Sequence, residues 1–187
     1  MFTIEASNTA TLTEQTAAQL AEANNLAGKL IAGGVPATDA LNTIRFEIGV
    51  GANYFFEIAR VRVLRALWMV ICQQYAPAYT APAIIHATNS KVLPEKDGYY
   101  EMIRQTTQAL SAVIGGVDSL SIVPHIVTPD KSEGFQTRIA RNLQLILQHE
   151  SHLDTVTDPA AGAWYIESIT SNLAAKSWEL FVKSTQT

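Results

Sequence analysis

The feature that most limits what this chain can become is an alternation. Short β-forming runs at residues 2–6, 44–50, 83–88, 119–123 and 155–157 are each followed by a long stretch of helical periodicity. The first helix opens on a capping box, Thr11 with Glu14, and stops at Gly33-Gly34 and Pro36. Tyr54, Ile58, Val61, Leu64, Trp68 and Ile71 place a second apolar face at steps of three and four. Tyr99, Ile103, Thr106, Leu110 and Val113 predict a third, closed by Gly115-Gly116. Phe135, Ile139, Leu143 and Ile146, capped by Asp130 and Glu133, predict a fourth; Ile166, Ile169, Leu173 and Leu180 predict the last. A repeat of about 35 residues per unit reads as βα units on a parallel sheet. Right-handed crossovers then leave a doubly wound open sheet or a (β/α) barrel.

The strand runs favour the barrel. A sheet covered on both faces needs continuous apolar strands. Here Ile44, Phe46 and Ile48 alternate with Arg45, Glu47 and Gly49, and Leu120 and Ile122 alternate with Ser119 and Ser121. One parity suits a helical layer and the other a polar lumen with room for a ligand. The expected class is α/β: a partial (β/α)8 TIM-type barrel of about five βα units with parallel strands, one domain over residues 1–187. A complete barrel needs eight units and about 250 residues, so the chain is a fragment, assembles with another chain or closes differently. Unpaired strand edges and apolar helix faces then predict a homodimer or heterodimer rather than a stable monomer.

Composition excludes several functions. The chain of 187 residues carries 13 Lys and Arg against 17 Asp and Glu, a net charge of -4, which argues against a nucleic-acid binder. No apolar run reaches the ~20 residues of a membrane span. Cys72 is the single cysteine, expected as a small buried hydrophobe, and forms no internal disulfide. The opening residues lack a secretion signal, so a cytoplasmic setting is expected.

Few residues point to chemistry. His86 stands late in the third strand run, where parallel barrels place their active sites, and could donate to an oxyanion or transfer a proton. Arg45 and Glu47 share a strand face, as an internal ion pair or as ligand contacts. Gly49-Val50-Gly51 can present amides to a phosphate but lacks the third glycine of a dinucleotide loop, and a tight turn is the simpler reading. Arg60, Arg62 and Arg65 read as a solvated or salt-bridged helix face. His125 reads as a loop residue, and His149 and His152 as a solvated helix end; no metal site is expected.

Four separated motifs carry a resemblance. They are Gly51-Ala-Asn-Tyr-Phe-Phe-Glu-Ile-Ala-Arg60 continuing through Arg62, Arg65 and Trp68; Gly115-Gly116-x-Asp118-Ser119; residues 138–151, with Arg138, Asn142, Gln144, Gln148 and Ser151; and Asp158-Pro159-x-x-Gly162-x-x-Tyr165-x-Glu167-Ser-Ile-Thr170. In this order they resemble the methylmalonyl-CoA mutase family, and Asn53-Tyr-Phe-Phe-Glu57 is similar to its small subunits. The resemblance implies a (β/α)8 barrel threaded by the CoA chain, of which this chain matches roughly the fourth to eighth units. It implies interconversion of (R)-methylmalonyl-CoA and succinyl-CoA, with adenosylcobalamin carried by a catalytic large subunit rather than by this chain. In that family a histidine within His-x-x-Thr-Ser bonds the substrate thioester carbonyl. Here the pattern reads His86-Ala-Thr-Asn89-Ser90, which makes His86 the catalytic candidate and Asn89, Ser90, Arg45 and Glu47 the substrate-binding candidates. Two departures point to a non-catalytic small subunit. Catalytic subunits read Ser-Leu-His where this chain reads Ser119-Leu-Ser121, and the cobalamin signature Asp-x-His-x-x-Gly is absent. The alternatives are a CoA-ester-binding half-barrel without radical chemistry, and an active component completed by a second chain.

Overall fold

The computed structural model describes residues 1–6, 11–89, 98–124, 133–153 and 155–186. Ser90, His125 and Asp130 lie outside them. The order of elements is β1 (Phe2–Glu5), α1 (Leu12–Ala32), α2 (Ala37–Asn42), β2 (Ile44–Val50), α3 (Tyr54–Tyr75), β3 (Ile84–Asn89), α4 (Gly98–Gly115), β4 (Ser119–Ser121), α5 (Glu133–His149) and α6 (Trp164–Thr185). The four strands pair in sequence order and every pair is parallel. The sheet is not closed. It is an arc of a TIM-type barrel, with β1 and β4 as its two edges among the described residues.

The alternation of strand residues decides which side the helices cover. Ile44, Phe46, Ile48 and Val50 are buried, while Arg45 is exposed and Glu47 and Gly49 are half-buried. Ile85 and Ala87 continue the buried parity on β3. Together with Leu20, Ala23 and Ala27 of α1 and Val61, Leu64 and Trp68 of α3, they form the main core. Phe46 meets Trp68 edge-to-face, ring centroids 5.3 Å apart at 75°, a geometry that the ring quadrupoles favour. Each fully buried large apolar side chain contributes about 1.5–3 kcal/mol.

The helix boundaries follow local chemistry. Thr11 Oγ1 accepts from the Glu14 amide while Glu14 reaches back to the Thr11 amide, the capping box expected for α1. At the end of α4 the two glycines have separate jobs. A Cβ on Gly115 would lie 3.1 Å from Val61 Cβ, so its absence lets α4 approach α3; Gly116, at φ +84°, makes the left-handed turn into β4.

Several expectations need correction. Residues 155–157 are not a strand, so the described sheet has four strands and not five. Thr155 and Val156 have β-forming side chains, but the segment is exposed and sits in turns. Thr155 bonds the His152 carbonyl through both its amide and its hydroxyl, and His152 and Asp158 adopt positive φ. Helix α6 packs chiefly across α3 and α1 as an outer layer. Along α4, Ile103 is 64% exposed, and the inward face carries Glu101, Gln105, Gln108, Ala109 and Ala112. The reason is the end of β2: the Val50 carbonyl needs a donor, and Gln108 Nε2 supplies one at 2.8 Å. Gln19 does the same for the carbonyls of Ile4 and Glu47. On α5, Leu143 and Leu147 are buried but Ile146 is 42% exposed.

Among the described residues no helix is long and apolar enough to cross a membrane. Cys72 is buried, and burial pushes its thiol up to about 12. It should resist a disulfide reagent at pH 8 in the native chain and react promptly in denaturant; fast native labelling would contradict this packing. Trp68→Ala should destabilise the chain by about 3–5 kcal/mol in a urea titration, because it empties the centre of the core.

Candidate functional site

In-register pairing sets out the uncovered face of the sheet row by row. Glu5 pairs with Glu47, Glu47 with His86 and His86 with Ser119, so one row crosses all four strands. A second row, nearer the strand N-termini, holds Thr3, Arg45 and Ile84; a third, nearer the C-termini, holds Gly49, Thr88 and Ser121. All these residues have the parity opposite to the buried set. The structure therefore brings His86, Glu47 and Arg45 onto one polar face. His86 Nδ1 lies 2.8 Å from Ser119 Oγ. No ion pair joins Arg45 to Glu47; their alternate rows set them apart along the strand.

Asn89 is placed elsewhere. It shares the parity of Ile85 and Ala87, is 3% exposed, and uses both ends of its amide on one residue. Nδ2 donates to the Val123 carbonyl at 2.9 Å, and Oδ1 accepts from the Val123 amide at 2.7 Å. This is a clamp between β3 and the segment after β4, not an atom set free for a ligand.

The motif residues turn out to tie the helices together. Arg62 donates to Glu167 at 2.8 Å and to Thr170, and faces Asp158 at 3.1 Å. Its bond, with the Gly162 amide, holds the Glu167 carboxyl below the ordinary range. Arg65 donates to the carbonyls of Ala83 and Gly116 and to Asp118. Asp118 Oδ2 also accepts from the Ile85 amide at 2.8 Å, while its own amide donates to the Ile85 carbonyl at 2.9 Å. The first motif is thus bonded to the second and the fourth.

Arg60 does not join that face. It is fully buried beside Glu57, 3.5 Å away, and bonds the Gly49 carbonyl. Burial pushes the Glu57 carboxyl up and the Arg60 guanidinium down, each opposed by the other's charge. Glu57 Oε1 accepts the Gly51 amide at 2.9 Å, so the glycine turn after β2 is a structural joint and its amide is not presented to a phosphate. The spacing of Glu57 and Arg60, one helical turn apart, was a signal for this pair. His149 and His152 are exposed at the end of α5 and the turn after it. Among the described residues no group of three or more His, Cys, Asp or Glu could hold a metal ion.

The model of the methylmalonyl-CoA mutase family matches residues 4–186. The chain belongs to the methylmalonyl-CoA mutase family. It is 39% identical over 175 residues to a methylmalonyl-CoA mutase small subunit of Porphyromonas gingivalis, covering 91% of this chain and 28% of that protein. It is 37% identical to a methylmalonyl-CoA mutase of Rhizobium meliloti, with 91% and 24% covered. A methylmalonyl-CoA mutase of Escherichia coli is 33% identical, with 88% and 23% covered. The chain spans about a quarter of the length of these curated relatives.

Asn89→Ala should lower stability by about 1–3 kcal/mol in urea, because it strands both Val123 backbone groups. Glu167 contributes stability that is present at neutral pH and lost as pH falls through its lowered value. Glu167→Gln should therefore lower neutral stability and flatten the acid side of the stability–pH curve.

Proposed function

We propose that this chain is a component of an adenosylcobalamin-dependent methylmalonyl-CoA mutase, acting as a non-catalytic small subunit or a segment of one. The observation that carries this reading is the third row of the uncovered face. Ser121 stands there, exposed and beside Thr88, at the position where the resemblance puts a histidine in catalytic subunits. A hydroxyl cannot replace an imidazole as a proton-transfer group near neutral pH.

The cofactor is assigned to the partner on the donor set. A cobalamin held by this chain would call for an uncommitted imidazole at the C-terminal ends of the strands, where parallel barrels place their sites. Of the described histidines only His86 is on the sheet, within a strand and bonded to Ser119. His149 ends α5 and His152 lies in the turn after it, and the helix runs back towards the strand N-termini. The described residues do not fit the group, so no step through it is assigned to this chain.

What this chain offers an acyl-CoA is a polar wall. Ser119, Thr88, Thr3 and Arg45 line it, and His86 can donate a hydrogen bond to the carbonyl of a bound thioester. The same wall supports the second reading, a half-barrel that binds CoA esters without radical chemistry. Association is supported by the unpaired edges and by apolar exposure beside them: Phe2 on β1 is 44% exposed and Leu145 on α5 is 45% exposed. A cytoplasmic setting and a large catalytic partner belong to the same proposal.

Light scattering of the chain alone and mixed with a catalytic mutase subunit tests it. A stable one-to-one complex is expected, with turnover by the complex and none by the chain. A homodimer that ignores the catalytic subunit would overturn the reading. Heat on titrating methylmalonyl-CoA into such a homodimer would favour the CoA-ester binder. Should His86→Ala abolish turnover of a complex whose other chain has an intact site, the chain is catalytic after all.

A further inference from the structure

We propose that Ser119 is the positioning residue for His86: its hydroxyl donates to Nδ1 and holds the imidazole in the tautomer whose Nε2–H is the donor on the uncovered face. The inference rests on the acyl-CoA reading of that face only for what Nε2–H would meet there.

A neutral imidazole has one donor and one acceptor nitrogen, and the bond made at one sets the role of the other. The 2.8 Å contact between Ser119 Oγ and His86 Nδ1 is the single hydrogen bond of the ring among the described residues. A hydroxyl can act either way, so the neighbours decide. Glu47 is the register partner of His86 on the other side, and Glu5 lies beyond it in the same row. With the bond to Ser119 directed at β4, the other side of the ring has the carboxylates of Glu47 and Glu5 in its own row, with Arg45 one row away. An N–H there is attracted; a lone pair is repelled.

The pairing is built in from the backbone. Asp118 and Ile85, the residues just before Ser119 and His86, exchange two bonds, Asp118 amide to Ile85 carbonyl and Ile85 amide to Asp118 carboxylate. Arg65 fixes that carboxylate in turn. Ser119 and His86 are therefore brought side by side by the backbone, and only their own side-chain rotamers remain to be ordered.

The test is long-range proton–nitrogen NMR of the isotope-labelled chain, with His86 assigned by its loss in His86→Gln. The wild type should show a protonated Nε2 and a hydrogen-bonded, unprotonated Nδ1 above the titration of the ring. Ser119→Ala should move Nδ1 to the position of an unbonded acceptor and lower the tautomer ratio about five-fold, the worth of one net hydrogen bond. Ser119→Thr should restore both. A wild-type ring protonated at Nδ1, or a Ser119→Ala spectrum unchanged at His86, would overturn the proposal. The separate addition of propionyl-CoA distinguishes the two readings. Expected nitrogen shifts with no response of His86 to the ester would sustain the role of Ser119 and sink the acyl-CoA reading alone.

Discussion

Asp118, just ahead of β4, is held from one strand, β3, and one helix, α3. Its carboxylate takes the Ile85 amide and the Arg65 guanidinium, and its amide returns a bond to the Ile85 carbonyl. β4 is three residues long and has little ladder of its own, so this clamp sets where it lies against β3. The His86–Ser119 contact follows from that register. Asn89 repeats the arrangement further along, gripping Val123 through both ends of its amide. Between the two clamps the short edge strand is fixed at both ends.

Helix α3 supplies the second half of this logic. Its inward residues, Val61, Leu64 and Trp68, cover the sheet, while Arg62 and Arg65 reach outward and sideways to the segment before α6 and to the turn before β4. These ion pairs are partly exposed, where single pairs contribute little. Their value is positional. Arg62 meets Asp158, Glu167 and Thr170 together, and Arg65 meets two carbonyls besides Asp118. A guanidinium with several fixed acceptors orients whole segments in a way that one surface pair does not. The buried Glu57–Arg60 pair on the same helix works differently, binding the Gly51 amide and Gly49 carbonyl at the joint after β2. The motifs by which the chain resembles its family are thus largely joints of the scaffold, and the ligand-facing residues lie between them.

The βα alternation, the start and stop of α1, and the polar parity of β2 and β3 were legible in the residues, because each shows in local patterning. The capping box at Thr11 and the alternation of Arg45, Phe46, Glu47 and Ile48 are such local signals. So was the placing of His86 on the polar side. Three readings failed where distant contacts decide. Residues 155–157 have strand-forming side chains but are paired with no strand among the described residues. Ile103 was read as core, yet α4 turns Gln108 inward because the Val50 carbonyl needs a donor. Arg60 makes the ion pair that its spacing from Glu57 allows, but it is buried rather than on a solvated face, because it reaches the Gly49 carbonyl at the end of β2.

Asn89 and Ser119 mark the boundary most sharply. Residue types and their spacing carried the class of fold, the uncovered polar face and the family, since these are properties of periodicity and of motif order. Strand register and side-chain partners were settled by folding alone. Asn89 looked like part of a ligand loop and became a backbone clamp; Ser119 looked like one of several small lumen residues and became the partner of His86. A hydrogen bond between residues 33 positions apart depends on the crossover through α4 closing to within tenths of an ångström, and no local pattern encodes that.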